Sequence, residues 1–223
     1  MKRDHSPLGR TVFALERAYA FLISLALTQG ARQLLGKSLV ESKLSDWPCM
    51  PNLNAICLFV ALAITIIPFY HGANKHLDEV YRFYPPSKPP APRRLLSEFL
   101  LLFIEAVLFF FLADFIHYPY RFSAVVVALF VTDCLWSWFW VKRSPTQESR
   151  QQVRIWFRLS FWAGLSVLAT LLIFRLFPIS AWWLGPAVLV VLAIRTLVDY
   201  LVNAKRYFDP APPEALDLVA LDG

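Results

Sequence analysis

Charge is what this sequence has least of. Asp, Glu, Lys and Arg make up 17% of the 223 residues, where a soluble domain carries about a quarter. Hydrophobic residues make up 57% and aromatic residues 16%. A core of this size cannot hide that much apolar surface, so lipid must solvate part of it. Cysteine is scarce too. Cys49, Cys57 and Cys134 are odd in number and show no CxxC spacing, which argues against a disulfide framework and a zinc site. Cys57 and Cys134 fall inside apolar runs, where a thiol behaves as a small hydrophobe. No Ser-His-Asp arrangement, phosphate loop, dinucleotide fingerprint or opposed pair of haem-ligating histidines is recognisable. No cofactor and no soluble domain are expected. The first apolar run carries Glu16 and Arg17 and continues to Gly30, too long and too charged for a cleavable signal.

Long apolar runs are what the sequence does have. A bilayer core is crossed by about 20 mostly apolar residues in helix. Six stretches meet that condition: Thr11–Gln29, Leu53–Tyr70, Leu95–Ile116, Phe122–Val141, Ile155–Phe177 and Ala181–Val202. The reading is an all-α integral membrane protein, a bundle of six transmembrane helices occupying 1–203 and followed by a short acidic, Pro-rich tail at 204–223. Trp136, Trp138 and Trp140 end the fourth run, Trp156 and Trp162 open the fifth, and Trp182 and Trp183 open the sixth. Amphipathic rings of this kind favour the headgroup zone. Tyr118-Pro119-Tyr120 and Phe177-Pro178-Ile179-Ser180 read as tight hairpin connections.

The net charge of +6 does not point to nucleic acid, because the basic residues lie in short segments between apolar runs and form no face on a soluble module. Their distribution sets an orientation instead. Lys2, Arg3, Arg10, Lys75, Arg82, Lys88, Arg93, Arg94, Lys142, Arg143, Arg150, Arg154, Lys205 and Arg206 fall on one side, against Arg32, Lys37, Lys43, Arg121 and Arg175 on the other. The positive-inside rule makes the richer side cytosolic, with both ends of the bundle there. The expected location is a bacterial cytoplasmic (inner) membrane.

Three connections have character of their own. The outward segment 32–52 contains Leu34, Leu35, Leu39, Val40 and Leu44 and has the makings of a short interfacial helix. The cytosolic segment 84–92, YPPSKPPAP, reads as a stiff polyproline-like spacer. Gly72 after Pro68 suggests a bend where the second run leaves the membrane. Ser160 and Gly164, four apart, and Gly185-Pro186 offer small surfaces for close helix contact. A weak internal repeat joins Asp133-Cys134-Leu135-Trp136-Ser137 to Asp199-Tyr200-Leu201-Val202-Asn203, each with Asp, then Leu two on and a small polar residue four on.

The candidate site is the set of ionisable residues at bilayer depth. Such groups are costly in lipid, so they face protein or water and take partners. Glu105 falls near the middle of the third run and Asp133 within the fourth. Arg195 and Asp199 are one turn apart on the sixth and share a face. These four are expected to line one polar cavity opening toward the cytosol, able to take up protons or a cation. The competing reading is an interhelical clamp in which Arg195 neutralises the acids, or a carboxyl that stays neutral. Glu16, Arg17, His71 and Asp78 are secondary candidates. Glu98 and Arg94 are expected to pair at the interface, and Arg17 and Arg158 to act as anchors. His71 and His76 stand five apart, which separates them on a continuous helix, so no metal site is expected there, and both read as solvated polar residues at a helix end.

The functional expectation is a small oligomeric channel or transport component. Two alternatives remain open: a structural or assembly subunit, or a membrane effector controlled by a partner, for which the Pro-rich segment speaks; and a membrane enzyme acting on lipid through His71, Asp78 or Asp133.

Overall fold

The computed structural model describes residues 7–41, 52–78, 80–81, 92–141 and 147–208. The Pro-rich segment up to residue 91, the second part of the outward connection (42–51) and the tail from residue 209 lie outside the described residues. Six helices follow one another: α1 Pro7–Glu41, α2 Leu53–Asp78, α3 Pro92–Asp114, α4 Pro119–Val141, α5 Gln147–Leu176 and α6 Leu184–Phe208. Among the described residues there is no strand. Each helix is long and apolar enough to cross a membrane.

Helix suits runs of this length and composition, because a segment that crosses lipid must satisfy every backbone N–H and C=O within itself. Local chemistry marks the ends. Proline stands first in α1, α3 and α4, where its missing N–H costs no helical hydrogen bond. The Asn52 side chain accepts from the Asn54 backbone N–H at 2.9 Å at the start of α2. A single turn, Phe115–His117, joins α3 to α4 and is closed by Tyr118 N–H donating to Phe115 C=O at 2.8 Å. Ahead of α6, the Ser180 hydroxyl accepts from Trp182 N–H at the head of a short 3-10 turn, Ala181–Trp183.

Two boundaries differ from the sequence reading. α1 runs on through Arg32, Leu34 and Leu35 to Glu41, so the first part of the outward segment continues the helix instead of forming a separate one. α2 passes through Pro68 and Gly72 without a break. Gly72 has another use. A Cβ there would stand 3.1 Å from the Trp156 ring, so the glycine makes room for a large side chain arriving from α5.

The helices close into a ring in the order α1, α3, α4, α5, α6, α2, and α2 leans inward to touch α3 and α4 as well. Phe69 of α2 sits at the centre of this packing. Its ring meets Phe109 of α3 edge-on at 5.5 Å, Phe130 of α4 at 6.2 Å and Trp156 of α5 edge-on at 5.7 Å. Aromatic pairs in this geometry add about 0.5–1.5 kcal/mol each beyond the area they bury. Small residues let the helices approach. A Cβ on Gly164 of α5 would stand 3.1 Å from Phe130 Cβ on α4, and one on Gly185 of α6 would stand 2.5 Å from Asn54 Oδ1 on α2. Both contacts lie within one chain. The outer face carries a belt of exposed Leu, Ile, Val, Phe and Trp, Phe21, Phe103, Trp162 and Leu197 among them.

Candidate functional site

The polar interior begins with the residues that the apolar runs could not absorb. Glu105, Asp133, Arg195 and Asp199 are all at most 5% exposed. They lie on three helices of the ring, α3, α4 and α6, and each acid accepts from a neighbouring side chain.

Glu105 on α3 accepts from the Tyr19 hydroxyl of α1 at 3.2 Å. Asp133 on α4 takes the indole N–H of Trp156 between its two carboxylate oxygens, at 2.8 and 2.7 Å. Hydrogen bonds to charged groups contribute about 1.5–3 kcal/mol in proteins. Ser160, one turn beyond Trp156 on α5, also faces Asp133. Asp199 on α6 accepts from Asn203 Nδ2 at 2.7 Å and from the Tyr207 hydroxyl at 3.0 Å. The two copies of the Asp-x-Leu-x-polar pattern differ in their bonding: Asn203 donates to Asp199, whereas Ser137 Oγ has no hydrogen-bond partner among the described residues. Both aspartates are buried, and so are the polar residues four on, Ser137 and Asn203.

Arg195 is held differently. Its nearest ionic partner is Asp199 at 3.9 Å. The guanidinium stacks against Trp156 at 4.6 Å, Phe69 at 5.2 Å and Phe130 at 5.7 Å. Among the described residues its nitrogens have no hydrogen-bond acceptor. Desolvated cation–π contacts of this kind are worth about 2 kcal/mol. Trp156 therefore serves two charges at once, its edge toward Asp133 and its face toward Arg195.

Glu105 and Asp133 line one cavity between α2, α3, α4 and α5. About 30 Å³ of it is open to the centre of a water-sized sphere, room for about two water molecules. The remaining wall is mostly apolar, with Phe69, Leu101, Leu102 and Val153, and it includes His76. Arg195 and Asp199 are not on this wall. The four residues expected around one cavity form two adjacent pairs instead, with Trp156 between them.

The secondary candidates scatter. Arg17 faces outward over the Phe13 ring at 4.1 Å, and Glu16, in the third turn of α1, and Asp78, at the end of α2, are half-buried. The His71 ring nitrogen Nδ1 hydrogen-bonds the Tyr200 hydroxyl, tying α2 to α6. Among the described residues, no group of three or more His, Cys, Asp and Glu is arranged to hold a metal ion.

Several residues of this interior were not singled out by sequence. His76 and Glu98, read as solvated or interfacial, are 5% and 1% exposed. Glu98 accepts from the Tyr81 hydroxyl at 2.7 Å and lies 4.0 Å from His76 Nε2. The side chain of Arg94, its expected partner, lies outside the described residues. Trp156, read as an interfacial ring, is the centrepiece of the site. The one signal for it was Gly72, the gap that it fills.

Fold and site together define a class: an all-α bundle of six helices, each long and apolar enough to cross a membrane, with acids and one guanidinium enclosed among aromatic rings. No protein-family model matches the chain, and no curated protein or solved structure matches it either.

Proposed function

We propose that this protein is a small membrane transport component, its six helices crossing a bacterial cytoplasmic membrane with the basic ends cytosolic, and that its cation-binding site lies inside a single chain between α3 and α4. The observation that carries this reading is the cavity shared by Glu105 and Asp133. Two carboxyls from different helices facing one water-sized space are the arrangement that takes up a cation, and groups of this kind at membrane depth mark ion pathways more often than not. A site enclosed by one chain favours a carrier over a pore between subunits. Assembly into a homo-oligomer is compatible with this reading but is not needed to complete the site.

The test is cation flux into liposomes containing the purified protein. The wild type is expected to carry flux above protein-free liposomes, and Glu105→Gln or Asp133→Asn to abolish it. Unchanged flux in both variants sinks the cavity as the route.

A second reading has its own support. Tyr19 and Trp156 clamp Glu105 and Asp133 from other helices, as they would in a structural or assembly subunit that only needs its helices in order. In that case the wild type carries no flux, while the same two variants still lower thermal stability and a stoichiometric partner co-purifies in mild detergent. A lipid-acting enzyme using His71, Asp78 or Asp133 is the least supported, since His71 and Asp78 are not on the wall of the cavity that Asp133 lines and Asp133 is 1% exposed.

A further inference from the structure

We infer that the ion taken up by the Glu105–Asp133 cavity is a proton, and that it reaches the cavity from the basic end of the bundle by way of Glu98 and His76. This inference rests on the transport reading above and names its ion and its route.

Size and donor chemistry select the ion. A space for about two waters suits a small ion better than an organic substrate. A metal cation stripped of water needs many oxygen ligands: six to eight for calcium, and a near-octahedral set for magnesium. This wall offers two carboxyls and an imidazole, and the rest of it is mostly apolar. Sodium sites in membrane carriers draw on backbone carbonyls freed where a helix unwinds. Here α2, α3, α4 and α5 all run unbroken past the cavity, so their carbonyls stay committed to helical hydrogen bonds; the Ile64 carbonyl, which Pro68 leaves without its helical donor, accepts from the Thr196 hydroxyl at 3.1 Å instead. A proton needs only one oxygen at a time.

The route is a line of exchangeable groups. Glu98 and Glu105 stand two turns apart on one stripe of α3. His76 lines the cavity that Glu105 faces, and its Nε2 lies 4.0 Å from Glu98. Trp136 and Trp140 of α4 pack edge-on against the imidazole at 5.0 and 4.6 Å, which closes that side to other ions. An imidazole accepts a proton on one nitrogen and releases it from the other. The groups that face these residues are Tyr81 at Glu98, Tyr19 at Glu105, and Trp156, Ser160, Arg195 and Asp199 at or near Asp133. In the transfer, a hydronium at the basic end gives its proton to Glu98 or His76 and leaves as water. The bond formed there breaks as an O–H bond forms on Glu105 or Asp133, and no electrons are exchanged.

The experiment is infrared difference spectroscopy of the full chain in lipid vesicles between alkaline and acid pH, in sodium and in choline buffers. A protonated-carboxyl band is expected, of equal amplitude in both buffers, that loses its components in Glu105→Gln and Asp133→Asn. After a rapid pH jump, His76→Gln and Glu98→Gln are expected to keep the cavity band but slow its appearance about tenfold or more. Should a neutral variant fail to fold, Glu105→Asp keeps a carboxyl and shifts the band, which makes the same assignment. Suppression of the band by sodium, or the absence of any titrating band, overturns the proton. An unchanged rate in His76→Gln overturns the route. A titrating band without flux in liposomes refutes the transport reading alone.

Discussion

The two ends of this bundle solve the same problem in different ways. At the end where α3 meets α4, polar side chains serve helix termini: Gln33 and Gln29 donate to Asp114 at 2.9 and 3.4 Å, His117 Nε2 bonds the Gln33 carbonyl at 2.9 Å, and Asn54 bridges Gly185 N–H and the Ala181 carbonyl. These bonds tie off chain ends where one helix stops and the next begins. In the basic half the acids sit within helices and take side-chain donors from Tyr19, Tyr81, Trp156, Asn203 and Tyr207, while aromatic rings surround Arg195. Such groups could be replaced by well-packed apolar residues at little cost in stability. Ionisable groups buried on α2, α3, α4 and α6 at once are what distinguish this half from the set of caps at the other end.

The comparison can be broken, beginning with the largest effect. Arg195→Leu removes the guanidinium beside Asp133 and Asp199 and leaves buried acids uncompensated, a loss of about 3–5 kcal/mol. Adding Asp199→Asn is expected to recover part of it. Thermal unfolding in detergent measures both. Trp156→Phe keeps the ring over Arg195 but removes the N–H shared by both Asp133 oxygens, for about 1.5–3 kcal/mol, and is expected to alter ion uptake as well. Gly185→Ala tests the other end. Its Cβ would stand 2.5 Å from Asn54 Oδ1 and 3.0 Å from Asn54 backbone atoms, so α6 must shift, at about 1–3 kcal/mol, with uptake unchanged. Tyr19→Phe is the smallest, about 0.6 kcal/mol, the average found for a hydrogen bond between membrane helices.

Much of this architecture was legible in the sequence because apolar length alone sets the spans. The expected runs agree with the observed helices closely for α3 and α4, and the expected starts of α2 and α6 fall within a few residues of the observed ones. Glu105, Asp133, Arg195 and Asp199 stood out because each interrupts a run that has no other use for charge. Azimuth was not legible. An amphipathic ring near a span boundary reads the same whether it faces headgroups or a neighbour, so Trp156 was indistinguishable from Trp162, which is exposed. Glu98 and His76 were misread for a related reason. α2 continues to Asp78, which keeps its last turns packed against α3 and α4 where a helix end in water was expected.

Everything above depends on the polar half and its opposite lying toward different sides of a membrane. Two exposed positions report on that directly: Ala204 near the end of α6 on the basic side, and Ser180 in the turn before it. With Cys49, Cys57 and Cys134 replaced, Ala204→Cys and Ser180→Cys are to be challenged with a membrane-impermeant thiol reagent in sealed vesicles of known orientation. The account predicts that Ala204→Cys reacts only from the cytosolic side and Ser180→Cys only from the other. Reaction of both from the same side would contradict it.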